Sequence, residues 1–409
     1  MSRRLVLVLA VTCAVAVGNL YFPQAIGPLI ATGLDVPADT AALVVTATQI
    51  GYTAGMVLLV PLGDRIRHRP LLVVLLCLTA LALLGAGCAP SLPPLAAASA
   101  LVGLTTVAAQ VIGPLVAGLV APDRRGEAIG TLLSGSTGGM LLARTFSGTL
   151  GEWLGWRAPY LVASVVALVL AVVMAYAVPA TAPATTPAAA REPYARFLTE
   201  PLRLLRAEPE LRRSCLYQAA AFGGFSAAWT SLALLLTGPV YRLGAEAVGL
   251  LALVGGATML CTPFAGRLVD RHGPGPVNLV SLLGILASAG VLAVGGAGGA
   301  VGLAALTAGT LLLDVAMQSG MVANQARVYA LRPNARSRLN TAYMTCAYLG
   351  GTAGSWLGVR AHTAFGWPAV CALIALLAAA ALVRHLFPVR HRTTVPEGPG
   401  RSRASLAER

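Results

Sequence analysis

Residues 266–273 read GRLVDRHG, and this short polar stretch separates two long apolar runs of the chain. A related stretch, PLGDRIRHR at 61–69, separates two apolar runs nearer the N-terminus. Both contain the dipeptide Asp-Arg, at 64–65 and at 270–271. A polar stretch that returns in a similar setting indicates that the chain is built from two related halves.

A second sequence feature is repeated with the same spacing in both halves. Pro122 stands 34 positions before Trp156, and Pro333 stands 34 positions before Trp367, where each tryptophan follows a glycine. Two halves related in this way are the layout of a secondary transporter, in which the solute site lies between internal repeats.

The composition is that of a membrane protein. Hydrophobic residues make up 57% of the chain and charged residues 11%, with a mean hydropathy of +0.77, whereas a soluble domain contains about 25% charged residues. A helix of about 20 apolar residues crosses the bilayer core of about 30 Å. We predict an all-α membrane protein with twelve transmembrane helices in two pseudo-symmetric six-helix bundles, at 5–31, 41–62, 70–89, 93–120, 127–150, 158–178, 214–236, 247–265, 277–297, 300–324, 339–360 and 366–387.

The arginines predict the orientation, because loops rich in arginine stay in the cytoplasm. The loops of one side, with the N-terminus and the tail from Arg384, hold arginine clusters, whereas the opposite loops hold Arg157, Arg242 and Arg360. The clusters lie at 65–69, 124–125, 191–213, 267–271 and 327–338. We therefore expect a multi-pass protein of the inner (cytoplasmic) membrane with both termini in the cytoplasm.

The longest polar stretch, 179–213, divides the predicted spans six and six. It begins with PATAPATTPAAA, which is too rich in proline to form a helix. It continues with YARFLTEPLRLLRAEPELRRS, an expected amphipathic helix on the inner surface. We predict bundles at 1–178 and 214–387, a cytoplasmic linker at 179–213 and a cytoplasmic tail at 388–409.

Several function classes are excluded or disfavoured by composition. All 29 residues of the Lys+Arg class are arginine, so a P-loop NTPase or a Schiff-base enzyme is excluded because each needs a lysine amine. The net charge of +14 does not indicate nucleic-acid binding, because the arginines lie in short clusters between apolar segments. The seven cysteines stand singly and the five histidines form no ligand motif, so we expect no metal and no cofactor.

The two Asp-Arg stretches resemble a loop signature of the major facilitator superfamily, G-x-L-x-D-R-x-G-R-[RK], which joins its second and third spans. The later copy keeps Gly266, Leu268, Asp270, Arg271 and Gly273, and the earlier copy keeps Asp64 and Arg65. The resemblance covers nearly the whole chain. It implies that these loop residues act in gating, as a cytoplasmic latch between neighbouring helices.

The stretch NLYFPQAIGPLIA, at 19–31, resembles the first span of bacterial drug and metabolite exporters of this superfamily. The resemblance implies proton-driven efflux of a small amphipathic organic molecule, a drug or secondary metabolite. Two features depart from the antiporter pattern: Ser99 stands where an arginine is usual, and 143–148 read ARTFSG in place of G-P-x-x-G-G. The expected partners are the lipid bilayer, a small-molecule substrate and protons; we expect a monomer and no nucleic acid.

Two charges lie deep within predicted spans, Arg144 in the fifth and Asp314 in the tenth. An ionisable group at this depth costs at least about 2.5–3.5 kcal/mol on insertion scales, which makes it a functional candidate. At about 1.5 Å per helical residue, Arg144 lies about 25 Å and Asp314 about 20 Å from the inner ends of their spans. We predict that Asp314 carries the transported proton and that Arg144, which stays charged, modulates it. A static ion pair, or an arginine held by backbone carbonyls, is the alternative.

Polar and aromatic side chains on several spans are the expected lining of a substrate cavity, because the resemblance places spans one, four, seven and ten around it. They are Asn19, Tyr21, Gln24, Gln49, Gln110, Gln218, Phe222, Phe225, Trp229 and Gln318, with Tyr52, Tyr217 and Asn324 beside them. Phe222, Phe225 and Trp229 share one helical face. That face forms either an aromatic wall for the solute or a surface packed in the core or against lipid.

Two other functions stay open on the sequence. A proton-coupled importer of a small nutrient would have the same spans, although a cavity with a single acid favours export. A polytopic membrane enzyme or receptor is disfavoured, because the chain contains no GxSxG, no paired intramembrane aspartates, no intramembrane histidine and no sizeable soluble domain. We therefore expect a transporter and not an enzyme.

Overall fold

A computed structural model describes residues 3–64, 66–119, 125–179, 194–256, 258–332 and 336–387, and within those ranges the regular structure is helical. The first half contains α1 (Arg3–Gly18), α2 (Phe22–Leu34), α3 (Ala38–Ala41), α4 (Leu43–Leu58), α5 (His68–Gly87), α6 (Leu92–Thr105), α7 (Ala108–Leu119), α8 (Arg125–Leu154) and α9 (Ala158–Ala177). The remainder contains α10 (Tyr194–Ala207), α11 (Pro209–Thr237), α12 (Ala245–Gly255), α13 (Thr258–His272), α14 (Pro274–Val294), α15 (Gly299–Leu331), α16 (Arg336–Phe365) and α17 (Trp367–Leu386).

In chain order these helices form twelve long segments and one separate helix, α10. Segments one, two, four and eight each contain two helices: α1–α2, α3–α4, α6–α7 and α12–α13. Among the described residues, nine segments are long and apolar enough to cross a membrane. The other three are α8, α12–α13 and α16, which contact helices of the opposite half.

The two halves pack by the same scheme. In the first half α1 packs on α8, α4 on α6, and α5 on α9; in the second half the corresponding pairs are α11 on α16, α13 on α15, and α14 on α17. Between the halves, α8 packs on α12 and α4 packs on α16, so each half contributes the same two segments. The predicted all-α fold of two pseudo-symmetric bundles is confirmed.

Glycines permit the closest helix contacts within each bundle. A Cβ atom at Gly139 of α8 would collide with the Ala14 carbonyl of α1, and one at Gly354 of α16 would collide with the Gly223 carbonyl of α11. Only a residue without a side chain allows two helix backbones to approach this closely. The two contacts are equivalent in the repeat, because they join segment five to one and segment eleven to seven.

Three predicted spans are interrupted well inside the span, whereas the break between α3 and α4 lies at the edge of the second. The span expected at 5–31 is broken at 19–21, because Pro23 in the first turn of α2 has no N–H to donate to the Asn19 carbonyl. The fourth span is broken between α6 and α7, and the eighth between α12 and α13. Irregular backbone at membrane depth occurs where it is buried in protein or lines a cavity. The backbone around these breaks is therefore a candidate position for a solute site.

The helix α10 lies against the second bundle. Leu204 is buried in a cluster with residues of α11, α15 and α16. The Glu200 carboxylate accepts a hydrogen bond from Arg338 at 3.0 Å. An amphipathic helix in the linker agrees with the sequence prediction, whereas residues 180–193 of the linker and the predicted tail at 388–409 lie outside the described residues.

Candidate functional site

The breaks in the first and fourth segments meet inside the first bundle. The Asn19 amide donates to the Thr106 hydroxyl at 3.3 Å, and that hydroxyl donates to the Ala16 carbonyl at 2.8 Å. These side chains satisfy backbone groups that an interrupted helix leaves free. The arrangement places Tyr21, which precedes α2, and Gln24, in the first turn of α2, against α8.

Arg144 of α8 is fully buried and is held in place by Gln24. Its Nε donates to Oε1 of Gln24 at 2.9 Å. Its guanidinium carbon lies 4.2 Å from the ring centroid of Trp229, 4.8 Å from that of Tyr21 and 5.3 Å from that of Phe225. A desolvated cation–π contact contributes about 2 kcal/mol, and the planar guanidinium is suited to stacking on such rings. Aromatic rings from both halves therefore surround this cation.

Asp314 of α15 is 1% exposed, and its Oδ1 accepts a hydrogen bond from the Trp229 indole at 3.1 Å. Its Oδ2 is buried with no hydrogen-bond partner in the described part of the chain. A Cβ atom at Gly255, the last residue of α12, would stand 3.0 Å from that oxygen. A side chain at this position would therefore press against Oδ2, and the glycine at the break in the eighth segment avoids that contact.

Arg144 and Asp314 both contact Trp229, but they do not form a hydrogen bond to each other. Both Nη atoms of Arg144 and Oδ2 of Asp314 lack a hydrogen-bond partner among the described residues. Neither a hydrogen-bonded ion pair nor a bond from Arg144 to backbone carbonyls is therefore present there. The guanidinium of Arg144 lies over the indole ring of Trp229, and the indole N–H donates a hydrogen bond to the carboxylate of Asp314.

An aromatic row runs from Trp229 to the contact between α4 and α16. The ring centroids of Trp229 and Phe225 are 6.4 Å apart, and Phe225 stacks on Phe222 at 5.5 Å. Tyr348 of α16 lies 5.0 Å from Phe222 and 4.4 Å from Tyr52 of α4. The aromatic stripe predicted on α11 is buried among helices, so the lipid-facing alternative is wrong.

Two of the predicted glutamines lie where the halves meet. Gln24 binds Arg144, as described, and Gln49 donates to the Ser226 hydroxyl of the opposite half at 3.5 Å. One side-chain atom of each, Nε2 of Gln24 and Oε1 of Gln49, is buried without a partner among the described residues. These two amides can still bind a polar group.

Gln110 and Gln218 each form a hydrogen bond within one half, as Asn19 does. Gln110 donates to the Tyr52 hydroxyl at 3.1 Å, and Gln218 accepts from the Tyr343 hydroxyl at 2.8 Å. Gln318 is buried one turn along α15 from the buried carboxylate. Gln110 and Gln218 therefore each bond to a tyrosine of their own half, and their place in the cavity lining stays a prediction.

The two halves are hydrogen-bonded to each other at one end of the bundle, which we call the closed end, where the last turns of α8 meet the first turns of α12. The Glu152 carboxylate of α8 accepts from the backbone N–H of Ala245, the first residue of α12, at 2.9 Å. The Thr145 hydroxyl donates to the Gly249 carbonyl at 2.7 Å. A carboxylate at an exposed helix N-terminus contributes about 0.3–1 kcal/mol.

The predicted gating residues lie at the opposite end. Asp270 and Arg271 are exposed in the last turn of α13, and Gly266 is half-buried one turn earlier. No ion pair within 4 Å joins Asp270 to another described residue, so the expected latch is not formed there among them. Asp64 ends a short 3-10 helix after α4; its side chain and the whole of Arg65 lie outside the described residues.

Sequence reasoning missed three contributions to this region. It expected Trp229 as a cavity wall and not as the hydrogen-bond partner of Asp314. It also assigned no role to Tyr348 or to Glu152. No local pattern marks these roles, because each depends on which residues of another segment the side chain meets.

A helical membrane fold of two repeated bundles, with buried charges where the bundles meet, defines a secondary transporter. The sequence profile described as Major Facilitator Superfamily matches residues 7–354 and 250–408. The chain belongs to the major facilitator superfamily, and it is a transporter of that type. Similarity to bacterial membrane transporters over nearly the whole chain agrees with a polytopic protein of the inner membrane.

Two similar relatives are also named as transporters. YgaY of Escherichia coli K12 is 34% identical over 371 residues, which cover 91% of this chain and 92% of that protein. SCO4007 of Streptomyces coelicolor is 36% identical over 374 residues, or 91% of this chain and 85% of that one. A chloramphenicol resistance protein of Streptomyces lividans is 32% identical over 140 residues, or 34% of this chain and 36% of that one.

The fold is also found in a solved structure. A bacterial homologue of the human lysosomal transporter Spinster, in an inward-facing and unoccupied conformation, superposes with a TM-score of 0.66. The sequences are 15% identical, and the match covers 94% of this chain and 95% of that one. At this identity the likeness concerns the fold alone.

Proposed function

We propose that the protein is a proton-driven secondary active transporter that exports a small amphipathic organic molecule, a drug or secondary metabolite. The observation that carries the proposal is that Arg144 and Asp314, buried on opposite halves, both contact Trp229 without bonding to each other. An ionisable side chain at membrane depth is costly, and such residues mark solute and proton pathways.

The surroundings of Arg144 suit a solute with an apolar body and a polar end. Tyr21, Phe225 and Trp229 supply ring surface. The Nη atoms of Arg144 supply hydrogen-bond donors, and Oδ2 of Asp314 supplies an acceptor, none of them used by a described residue. A buried polar group left unpaired costs about 1–3 kcal/mol, so a solute that pairs these groups would recover that cost.

Asp314 is the proposed proton carrier, and Arg144 modulates it because a guanidinium stays charged. A carboxyl group in surroundings of low dielectric favours its neutral form, whereas a nearby guanidinium favours the ionised form. Because the two side chains belong to opposite halves, a rocking motion of the halves changes the distance between them. That motion would let Asp314 take up a proton on one side of the membrane and release it on the other.

The closed end is proposed to face the outside, because few arginines occur in the loops at that end. The residues at the other end then form the proposed cytoplasmic gate: Asp64, Arg65, Gly266, Asp270 and Arg271. Single cysteines test this orientation in a cysteine-free background. An impermeant maleimide on intact cells should label Glu246→Cys, on the first turn of α12, and not Arg206→Cys, on α10. The reverse pattern would overturn the orientation.

Export is tested in everted membrane vesicles with an acidified interior and a pH-sensitive dye. The compounds are a panel of amphipathic molecules that includes chloramphenicol, because one relative is named for resistance to it. An exported compound should discharge the proton gradient in vesicles that contain the protein, and Asp314→Asn should abolish the response. No response to any compound, together with unchanged susceptibility of cells to the panel, would count against drug export.

Metabolite profiling separates export from import of a natural solute. A strain that lacks the protein should accumulate the exported solute inside the cell relative to wild type. An importer would produce the opposite result, with the solute left in the medium of the deletion strain.

A further inference from the structure

A cluster of basic side chains lies apart from the proposed solute site, at the end of the second bundle opposite the closed end. Arg213 of α11 donates from Nε to the Tyr217 hydroxyl at 2.6 Å and from Nη2 to the His385 carbonyl at 3.2 Å. The His385 ring lies 5.5 Å from the Tyr217 ring, and the Arg327 guanidinium carbon lies 6.0 Å from the same ring. Three helices, α11, α15 and α17, thus gather three basic side chains around one phenol.

The cluster contains more positive charge than the nearby acid neutralises. Glu210 lies 3.6 Å from Nη1 of Arg213 and 3.9 Å from Nε of Arg327, and its side chain is 39% exposed. The arginine side chains are only 16% and 12% exposed. Nη1 of Arg327 and Nδ1 of His385 are buried with no hydrogen-bond partner among the described residues. Two mostly buried guanidinium groups share one carboxylate, and further nitrogen atoms stay unused.

Exposed apolar side chains lie next to His385 in the sequence, at the C-terminal end of α17. Val383, Leu386 and Phe387, which flank His385 in the sequence, are 57%, 57% and 73% exposed. In a membrane, acyl chains cover apolar side chains of this kind. Basic pockets between transmembrane helices bind anionic lipid headgroups, and the paired nitrogens of arginine match the oxygens of a phosphate group.

We infer that Arg213, Arg327 and His385 form a binding site for a phosphate group. The group comes either from the headgroup of an anionic phospholipid, whose chains cover the exposed surface of α17, or from free phosphate. Together with Glu210, the bound anion neutralises the two arginines and links the ends of α11, α15 and α17. This inference does not depend on the solute, the direction or the driving ion proposed above.

The test is native mass spectrometry of the purified full-length protein, with phosphatidylglycerol, phosphatidylcholine or inorganic phosphate added in separate arms. Wild type should retain phosphatidylglycerol in preference to phosphatidylcholine. Arg327→Gln and Arg213→Gln should each reduce its occupancy by about tenfold, the effect of losing one charge-assisted hydrogen bond. Arg206→Gln, an exposed arginine of α10, removes the same charge outside the cluster and should leave binding unchanged.

Arg327→Lys provides a second variant in case Arg327→Gln is not recovered as a monodisperse protein. It keeps the charge but removes the paired nitrogens, so it should bind less phosphatidylglycerol than wild type. Retention of inorganic phosphate that depends on the same arginines, with no preference for the lipid, would assign the site to free phosphate. Binding that neither arginine changes, or that Arg206→Gln reduces equally, would overturn the inference.

Discussion

Arg144 and Asp314 lie against the same indole without forming a hydrogen-bonded ion pair. The Arg144 guanidinium carbon is 4.2 Å from the Trp229 ring centroid, and Oδ1 of Asp314 is 3.1 Å from the indole nitrogen. Trp229 and Asp314 both belong to the second half, whereas Arg144 belongs to the first. A motion of one half against the other can therefore move the cation off the ring while the indole–carboxylate hydrogen bond stays intact.

The indole hydrogen bond should set the pH at which transport occurs. Trp229→Phe keeps an aromatic ring for Arg144 but removes the donor to Asp314, and a hydrogen bond to a charged group contributes about 1.5–3 kcal/mol. Since the donor stabilises the ionised carboxylate, its loss favours the protonated form. The profile of transport against pH in vesicles should move by about one unit or more to higher pH.

Trp156→Phe is the matched control for that substitution. The Trp156 indole N–H is buried without a hydrogen-bond partner among the described residues, so its removal costs no bond there. In Trp156→Phe the profile of transport against pH should be the same as in wild type. A profile that moves equally in both variants, or in neither, would show that the Trp229 donor does not act on the proton site.

The sequence predicted the fold because long apolar runs and the repeated Asp-Arg loops leave few other arrangements. Counting helical rise also placed Arg144 and Asp314 at similar depths. It could not show that Trp229 stands between them, since periodicity identifies a helical face but not the segment that the face meets. Gln218 illustrates the same limit, because its hydrogen bond to Tyr343 of another segment is not visible in the sequence pattern.

The negative charge of Glu152 at the closed end should control how readily that end opens. Glu152→Gln removes the charge that faces the N-terminus of α12, which contributes about 0.3–1 kcal/mol. A cysteine at Val248, which is fully buried on α12, should then react with a maleimide about two- to fivefold faster. Glu246→Gln alters the same first turn, where Glu246 has no hydrogen bond to the described side chains of α8, and should leave the rate unchanged. Equal rates at this cysteine with and without Glu152→Gln would show that Glu152 has no part in the gate.

The loop residue Asp270 should affect turnover more than affinity. It is exposed at the end opposite the closed end, so we expect it to bias conformations without touching the solute. Asp270→Asn should slow transport with little change in solute binding. Asp39→Asn, at the closed end, where the carboxylate bonds locally to Thr40, should not slow it. Normal turnover with weak binding in Asp270→Asn would contradict the gating role.

Arg144 should modulate the proton site and not merely hold the fold. Arg144→Ala removes a positive charge near Asp314, so the protonated form of Asp314 becomes more favourable and the pH optimum should shift to higher pH. Solute binding should be weakened by the loss of the Nη donors but not eliminated. A static pair predicts a different pattern, in which each single neutral variant misfolds and the double variant Arg144→Gln, Asp314→Asn recovers expression and activity. Expression of the three proteins followed by transport separates the two accounts.

The central claim is that Asp314 carries the proton that drives transport, and one comparison in proteoliposomes tests it most directly. Asp314→Asn keeps the size of the side chain and an oxygen that can accept from the Trp229 indole, but it cannot bind and release a proton. With the solute on both sides and an imposed pH gradient, wild type should concentrate the solute. The variant should only equilibrate it, with solute binding weakened by the loss of the Oδ2 acceptor but still measurable. If Asp314→Asn still concentrates the solute against its gradient, the proton site lies elsewhere or another ion drives transport.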